Sequence, residues 1–225
     1  MSETTYRQRR FQRPPGATEI LLVRHGESAP EVPGHPAPQV DGHGDPELAA
    51  GGRRQAELVG ARLARQPIAA IYVSTLRRTH ETAAPLARHL GLTPIVEPDL
   101  REVHLGEWEG SFRQRVAEGG PVVAQLFEEG RWDVIPGAES AEAFAARTSA
   151  AIRRIVAAHP DRLVAVVCHG GVIGQLVATA SRGGNAFAFS GADNASISRL
   201  VVAGDRWIIR GFNDVAHLPE VEPDR

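Results

Sequence analysis

Glu19-Ile20-Leu21-Leu22-Val23-Arg24-His25-Gly26-Glu27-Ser28 is the stretch on which the fold turns. Residues 19–23 form a short, mostly apolar run, the composition of a strand buried in a parallel sheet. The run stops at Arg24-His25-Gly26. The same design recurs downstream, where Leu163-Val164-Ala165-Val166-Val167-Cys168, the most apolar run in the chain, ends at His169-Gly170-Gly171. Ligands of open parallel sheets bind at the carboxyl ends of the strands, so His25 and His169 share one crevice if their strands are neighbours. The glycines after them let backbone approach closely, and a following helix N-terminus offers free N–H groups to an anion.

Working outward, strand and helix patterns alternate. A Pro/Gly-rich loop occupies residues 29–50, a length typical of functional or disordered loops. Residues 52–66 read as a helix with Ala56, Val59 and Leu63 on one face, and 68–73 as a strand. Ser74 stands where an N-cap belongs, before a helix over 75–90 that Gly91 ends. A short strand follows at 93–97. Residues 111–132, broken by Gly119-Gly120-Pro121, read as short covering helices. Residues 140–158 form a helix with Phe144, Thr148, Ile152 and Ile155 in register, and another runs from His169 to about residue 180. Residues 196–203 and 206–212 read as a hairpin turned at Gly204-Asp205. This alternation predicts a three-layer αβα fold with a mostly parallel central sheet and helices on both faces. It divides the chain into a flexible N-terminal arm (1–17), a single domain (18–213) with a cap segment at about 111–138, and a C-terminal tail (214–225).

Composition narrows the class of protein. The 225 residues are 42% hydrophobic and 23% charged, ordinary for a soluble globular chain. A net charge of −2 gives no reason to expect nucleic acid or membrane as a partner. The sequence contains no lysine, so its 25 basic residues are all arginine. Lysine Schiff-base chemistry is excluded, and an anion clamp has to be built from guanidinium groups, whose planar fork suits phosphate. The single cysteine, Cys168, excludes an intramolecular disulfide and predicts a cytoplasmic location, as does an N-terminus without a signal-like apolar stretch. No apolar run approaches the about 20 residues of a membrane span.

Two more segments follow predicted strands and carry charge to the same sheet edge. Ser74-Thr75-Leu76-Arg77-Arg78-Thr79-His80-Glu81-Thr82-Ala83 brings arginine, and Leu100-Arg101-Glu102-Val103-His104-Leu105-Gly106-Glu107-Trp108-Glu109-Gly110 brings carboxylates. Two histidines, arginines and an acid suit phosphoryl transfer. Guanidinium groups neutralise and orient the phosphoryl oxygens, a neutral imidazole nitrogen accepts the phosphoryl group, and a carboxylic acid protonates the leaving oxygen. No metal or cofactor is needed for that scheme. His35, His43 and His104 lack a compact metal-ligand spacing. Trp108 and Trp132 are candidates for the mouth of the pocket.

These elements resemble the histidine phosphatase superfamily, the phosphoglycerate mutase-like group, over most of residues 19–203. The carriers are Leu22 to Ser28, Ser74 to Ala83, Leu100 to Gly110, Pro136-Gly137-Ala138-Glu139-Ser140, and His169 to Gly171. The resemblance implies His25 as nucleophile, Arg24, Arg78 and His169 as holders of the phosphoryl oxygens, and Glu102 as the acid that later activates water. It also implies Ser28, Gly170, Glu139 and Ser140 as substrate contacts. The implied activity is a metal-independent phosphatase acting on a phosphomonoester of a small metabolite. The alternatives are a cofactor-dependent mutase or a phosphohistidine or protein phosphatase in signalling. Two departures bear on this choice. The 29–50 loop lacks the family's usual asparagine and glutamine, and Glu102 is followed by Val103-His104-Leu105, without the arginine and tyrosine of the mutases. The expected partner is a small phosphorylated substrate, and a homodimer is left open.

Overall fold

The computed structural model describes residues 6–189 and 191–219. Residues 1–5 of the expected arm and 220–225 of the expected tail lie outside the described residues. In chain order the elements are β1 (Thr18–Arg24), β2 (Gln39–Val40), β3 (His43–Gly44), α1 (Ala50–Leu63), β4 (Ile68–Val73), α2 (Arg77–Leu90) and β5 (Ile95–Val96). They continue with α3 (Phe112–Glu118), α4 (Pro121–Glu129), α5 (Ala141–Ala158), β6 (Leu163–Cys168), α6 (Gly170–Ser181), β7 (Ile197–Ala203) and β8 (Arg206–Asp214).

The main sheet has the order β5-β4-β6-β1-β7-β8. Its β5, β4, β6 and β1 run parallel, and β7 joins β1 antiparallel. The order makes β1 and β6 neighbours, with Val23 opposite Val167 and Arg24 opposite Cys168. Side chains alternate across a strand, so β1 feeds two cores. Ile20 and Leu22 pack with Phe144, Ile152 and Ile155 of α5 and Ile173 and Leu176 of α6. Leu21 and Val23 pack with Val59 and Leu63 of α1 and Ala83 and Leu86 of α2. The result is the expected three-layer αβα arrangement around a mostly parallel sheet.

Local rules explain most boundaries. Gly91 closes α2 in the left-handed conformation, at φ 66°, and Ser140 caps α5 by accepting from the amide of Ala143 at 3.1 Å. One expectation is corrected. Ser74 does not cap α2, which starts at Arg77 with Leu76 in the cap position; the Ser74 hydroxyl is drawn to His169 instead. The arm lies against the body at its end, where Arg13 donates to the carbonyls of Asp161 and Arg162 and Phe11 lies 4.0 Å beneath the Arg210 guanidinium. The cap segment holds α3 and α4, which gather around a small core of Trp108, Leu126 and Ile135. Among the described residues no helix is long and apolar enough to cross a membrane.

Candidate active site

The carboxyl ends of β1, β6 and β4 meet in one place, and His25 stands at its centre. The backbone of His25 is tied on several sides: its amide donates to Cys168 O at 3.0 Å, and its carbonyl accepts from Asn194 Nδ2 at 2.9 Å. The next residue must be glycine. A Cβ at Gly26 would stand 2.5 Å from the carbonyl oxygen of Gly52 at the start of α1. The ring nitrogen Nδ1 of His25 donates to the Gly26 carbonyl at 2.7 Å. That bond assigns the proton to Nδ1 and leaves the lone pair on Nε2. Burial, then the charges of Arg78 and Arg24, hold the imidazole well below the ordinary histidine pKa, which favours the neutral ring.

His169 is fully buried behind His25, with ring centroids 5.2 Å apart. Its Nε2 is 2.9 Å from Ser74 Oγ. The Ser74 hydroxyl is also 3.2 Å from Thr79 Oγ1. Thr79 Oγ1 spends its proton on Leu76 O at 2.8 Å, and Ser74 Oγ already accepts from the Leu76 amide at 3.2 Å. Ser74 Oγ has one proton for two neighbours, Thr79 Oγ1 and His169 Nε2, and it accepts from the His169 ring when that proton goes to Thr79. The other ring nitrogen of His169, Nδ1, is buried without a partner. So is Nε of Arg24, whose Nη1 is anchored on Ala192 O at 2.5 Å. Unpartnered buried nitrogens are rare, and two beside one histidine mark a place prepared for a ligand. Burial depresses the pKa of His169 as well, followed by the charges of Arg78 and His25.

Arg78, buried in the first turn of α2, donates to Gly44 O at 2.9 Å. Burial lowers the pKa values of Arg24 and Arg78, opposed by the charge of Glu102. Glu102 faces this cluster from the loop after β5. Its Oε2 accepts from the Gly171 amide at 3.0 Å and its Oε1 from the Val103 amide at 3.0 Å. The loop is held from below by Arg147, which donates to the carbonyls of Asp99, Arg101 and Glu102, each at 2.8 Å.

The structure thus gathers His25, Arg24, Arg78, Glu102 and His169. Ser28 and Gly170 join all of these except the fully buried His169 in the wall of one cavity of about 720 Å³. The other two expected substrate contacts stand elsewhere. Glu139 grips Arg147 through both carboxylate oxygens, at 2.7 and 2.8 Å, and Ser140 is the exposed cap of α5. Glu139 supports the acid-bearing loop, and neither residue lines the cavity. Arg113 was missed in the sequence. It reaches from α3 of the cap to Ser28 Oγ at 3.4 Å and adds to the charge acting on His25. No local pattern marks it, because only the folded cap brings it there. A second cavity of about 150 Å³, beside Arg153, Arg182 and Arg206, holds none of these groups.

The family described as histidine phosphatase superfamily (branch 1) matches residues 20–215. The chain is 36% identical over 210 residues to phosphoglycerate mutase-like protein 4 of Arabidopsis thaliana, covering 90% of this chain and 87% of that protein. It is 32% identical to the metal-independent phosphoserine phosphatase of the same plant, over 91% of this chain and 84% of that protein. The solved structure of native mycobacterial glucosyl-3-phosphoglycerate phosphatase aligns with a TM-score of 0.73 at 31% identity, covering 88% of this chain and 99% of that one.

Proposed function

The chain belongs to the histidine phosphatase superfamily, and on that premise we propose that it hydrolyses the phosphomonoester of a small metabolite through a phosphohistidine on His25. The observation that carries this reading is the neutral His25 ring, its Nδ1 proton fixed on Gly26 O, lying under the charges of Arg78, Arg24 and Arg113. Nε2 attacks phosphorus in line as the ester P–O bond breaks, and Glu102 gives its proton to the leaving oxygen. In the second half, the Glu102 carboxylate takes a proton from water. The water oxygen attacks phosphorus, the P–N bond breaks, and its electron pair returns to Nε2. Arg24, Arg78 and His169 hold the non-bridging oxygens, and Arg113 adds a third guanidinium from the cap.

Phosphatase is preferred to mutase because the residues after Glu102 offer no guanidinium for a second anion. Val103 is buried and His104 meets His43 edge to face, with ring centroids 5.1 Å apart. A cytoplasmic setting suits the lone thiol of Cys168, which burial makes a poor nucleophile by raising its pKa. The deciding experiment is a phosphatase screen over a metabolite panel with His25→Ala beside the wild type, together with trapping of an acid-labile, alkali-stable phosphoenzyme. Turnover that survives the substitution refutes the mechanism.

A further inference from the structure

The cavity is built for more than a phosphoryl group on a three-carbon acid. At about 720 Å³ it falls in the range of roughly 300–1,000 Å³ that encloses a drug-sized ligand. Its wall also changes character along its length. The end at His25 is cationic, whereas the cap side presents Leu105, Phe112, Phe127 and Trp132. The Phe112 and Trp132 rings lie 5.8 Å apart and tilted. Phe127 is 58% exposed and, on the loop side, Val32 is 53% exposed, so apolar surface is left facing the opening.

The charged groups beside that wall already have partners, whereas Trp132 Nε1 is a buried donor without one. Glu31 accepts from the amides of Arg113 and Gln114, at 2.9 and 3.1 Å. Glu109 accepts from those of Gly44 and Leu105, at 3.0 and 2.8 Å. Arg77 pairs with Glu47 at 2.8 Å and Glu81 at 2.5 Å. Arg113 reaches toward Ser28, at the phosphoryl end. Among the described residues, no unengaged cation stands on the aromatic side to hold a substrate carboxylate.

Resting on the phosphatase reading above, we infer that the alcohol part of the substrate is an uncharged, ring-bearing body seated on Phe112 and Trp132, not a short carboxylic acid. Ring faces are what such a wall binds with geometric preference.

Three alkyl phosphates of similar leaving-group basicity test this: 2-phenylethyl phosphate, propyl phosphate and O-phosphoserine. The expected kcat/KM for the phenylethyl ester exceeds both others by about tenfold or more, mainly through KM. Trp132→Ala narrows that ratio. So does Phe127→Ser, whose site is exposed and spares the fold. A phosphoserine rate equal to or above the phenylethyl rate overturns the inference, as does a propyl rate equal to it or a ratio untouched by both variants. The phosphatase reading fails separately: no turnover of any of the three, or turnover persisting in His25→Ala, sinks that reading and this inference with it.

Discussion

Replacing Gly171 by alanine separates the position of the acid from the integrity of the fold. A Cβ there would stand 2.5 Å from Glu102 Oε1 and 3.2 Å from its Cδ, where ordinary contact begins at 3.4 Å. The carboxylate must withdraw by about 0.9 Å, and its bond from the Gly171 amide lengthens with it. The obstacle is the far end of a flexible side chain, so folding loses little. Gly171 lies in the first turn of α6 with ordinary helical backbone, where alanine is favoured over glycine by up to about 1 kcal/mol. A misplacement of about 1 Å in a catalytic group costs on the order of 10² in rate, or about 2.7 kcal/mol. The assay is kcat/KM, which ends at phosphoryl transfer and is blind to later hydrolysis of the phosphohistidine. An alkyl phosphate, which needs protonation of its leaving oxygen, should lose about 100-fold. A 4-nitrophenyl ester, which leaves as a stabilised phenolate, should lose less than about threefold. The melting temperature should hold or rise. Equal losses on both esters, or none on either, would show that Glu102 is not the acid.

Ser74→Ala removes the hydroxyl that orients the His169 ring through Nε2. The expected result is a fall in kcat of about tenfold, the worth of one hydrogen bond, with displaced ring-nitrogen shifts in the ¹⁵N spectrum of His169; unchanged nitrogen shifts would exclude the role. Both buried histidines have pKa values lowered from 6.5 in the fold. The unfolded chain therefore binds more protons below about pH 6.5, and stability falls as pH drops through that window toward the folded values. Urea midpoints between pH 7.5 and 5 should show a shallower decline in His169→Gln than in the wild type, and parallel slopes would contradict the assignment. Arg147→Met strips Glu139 of its partner and three backbone carbonyls of their donor. Since both side chains keep some exposure, at 20% and 16%, a loss of about 2–3 kcal/mol is expected by urea unfolding. A loss under about 0.5 kcal/mol would mean the bonds are idle.

The parts of the site legible in the sequence are those that a strand delivers. Val23 and Cys168 end apolar runs that read as strands, so the histidines after them could be placed at one sheet edge. What stayed hidden depended on long-range partners. Ser74 satisfies the local rule for an N-cap, yet His169 outcompetes the helix for its hydroxyl. Glu139 and Ser140 sit in a segment associated with the site, but Glu139 N donates to His104 O at 2.9 Å and its carboxylate holds Arg147; the segment braces the acid loop from outside the cavity. Within the 29–50 loop, β2 and β3 form a small hairpin whose turn residues, Asp41 and Gly42, have φ of 49° and 81°. An Asp-Gly pair favours such a turn, but no apolar alternation flanks it to advertise strands. Arg113 has no signal at all, since its bond to Ser28 spans 85 residues.

Strand register accounts for the chemistry better than any single motif does. β6 lies between β4 and β1, and Val167 pairs with both Val73 and Val23, so three carboxyl ends finish level. Alternation makes that register rigid. A slip of one residue in β1 would turn Leu21 and Val23 out of the α1–α2 core and Ile20 and Leu22 out of the α5–α6 core. It would also carry His25 away from its 5.2 Å approach to His169. Cys168 obeys the same constraint: one residue before His169, its thiol is committed to the α5–α6 core. The spacing of the nucleophile from its neighbour is therefore specified by apolar side chains on both faces of the sheet. Those residues never touch a substrate.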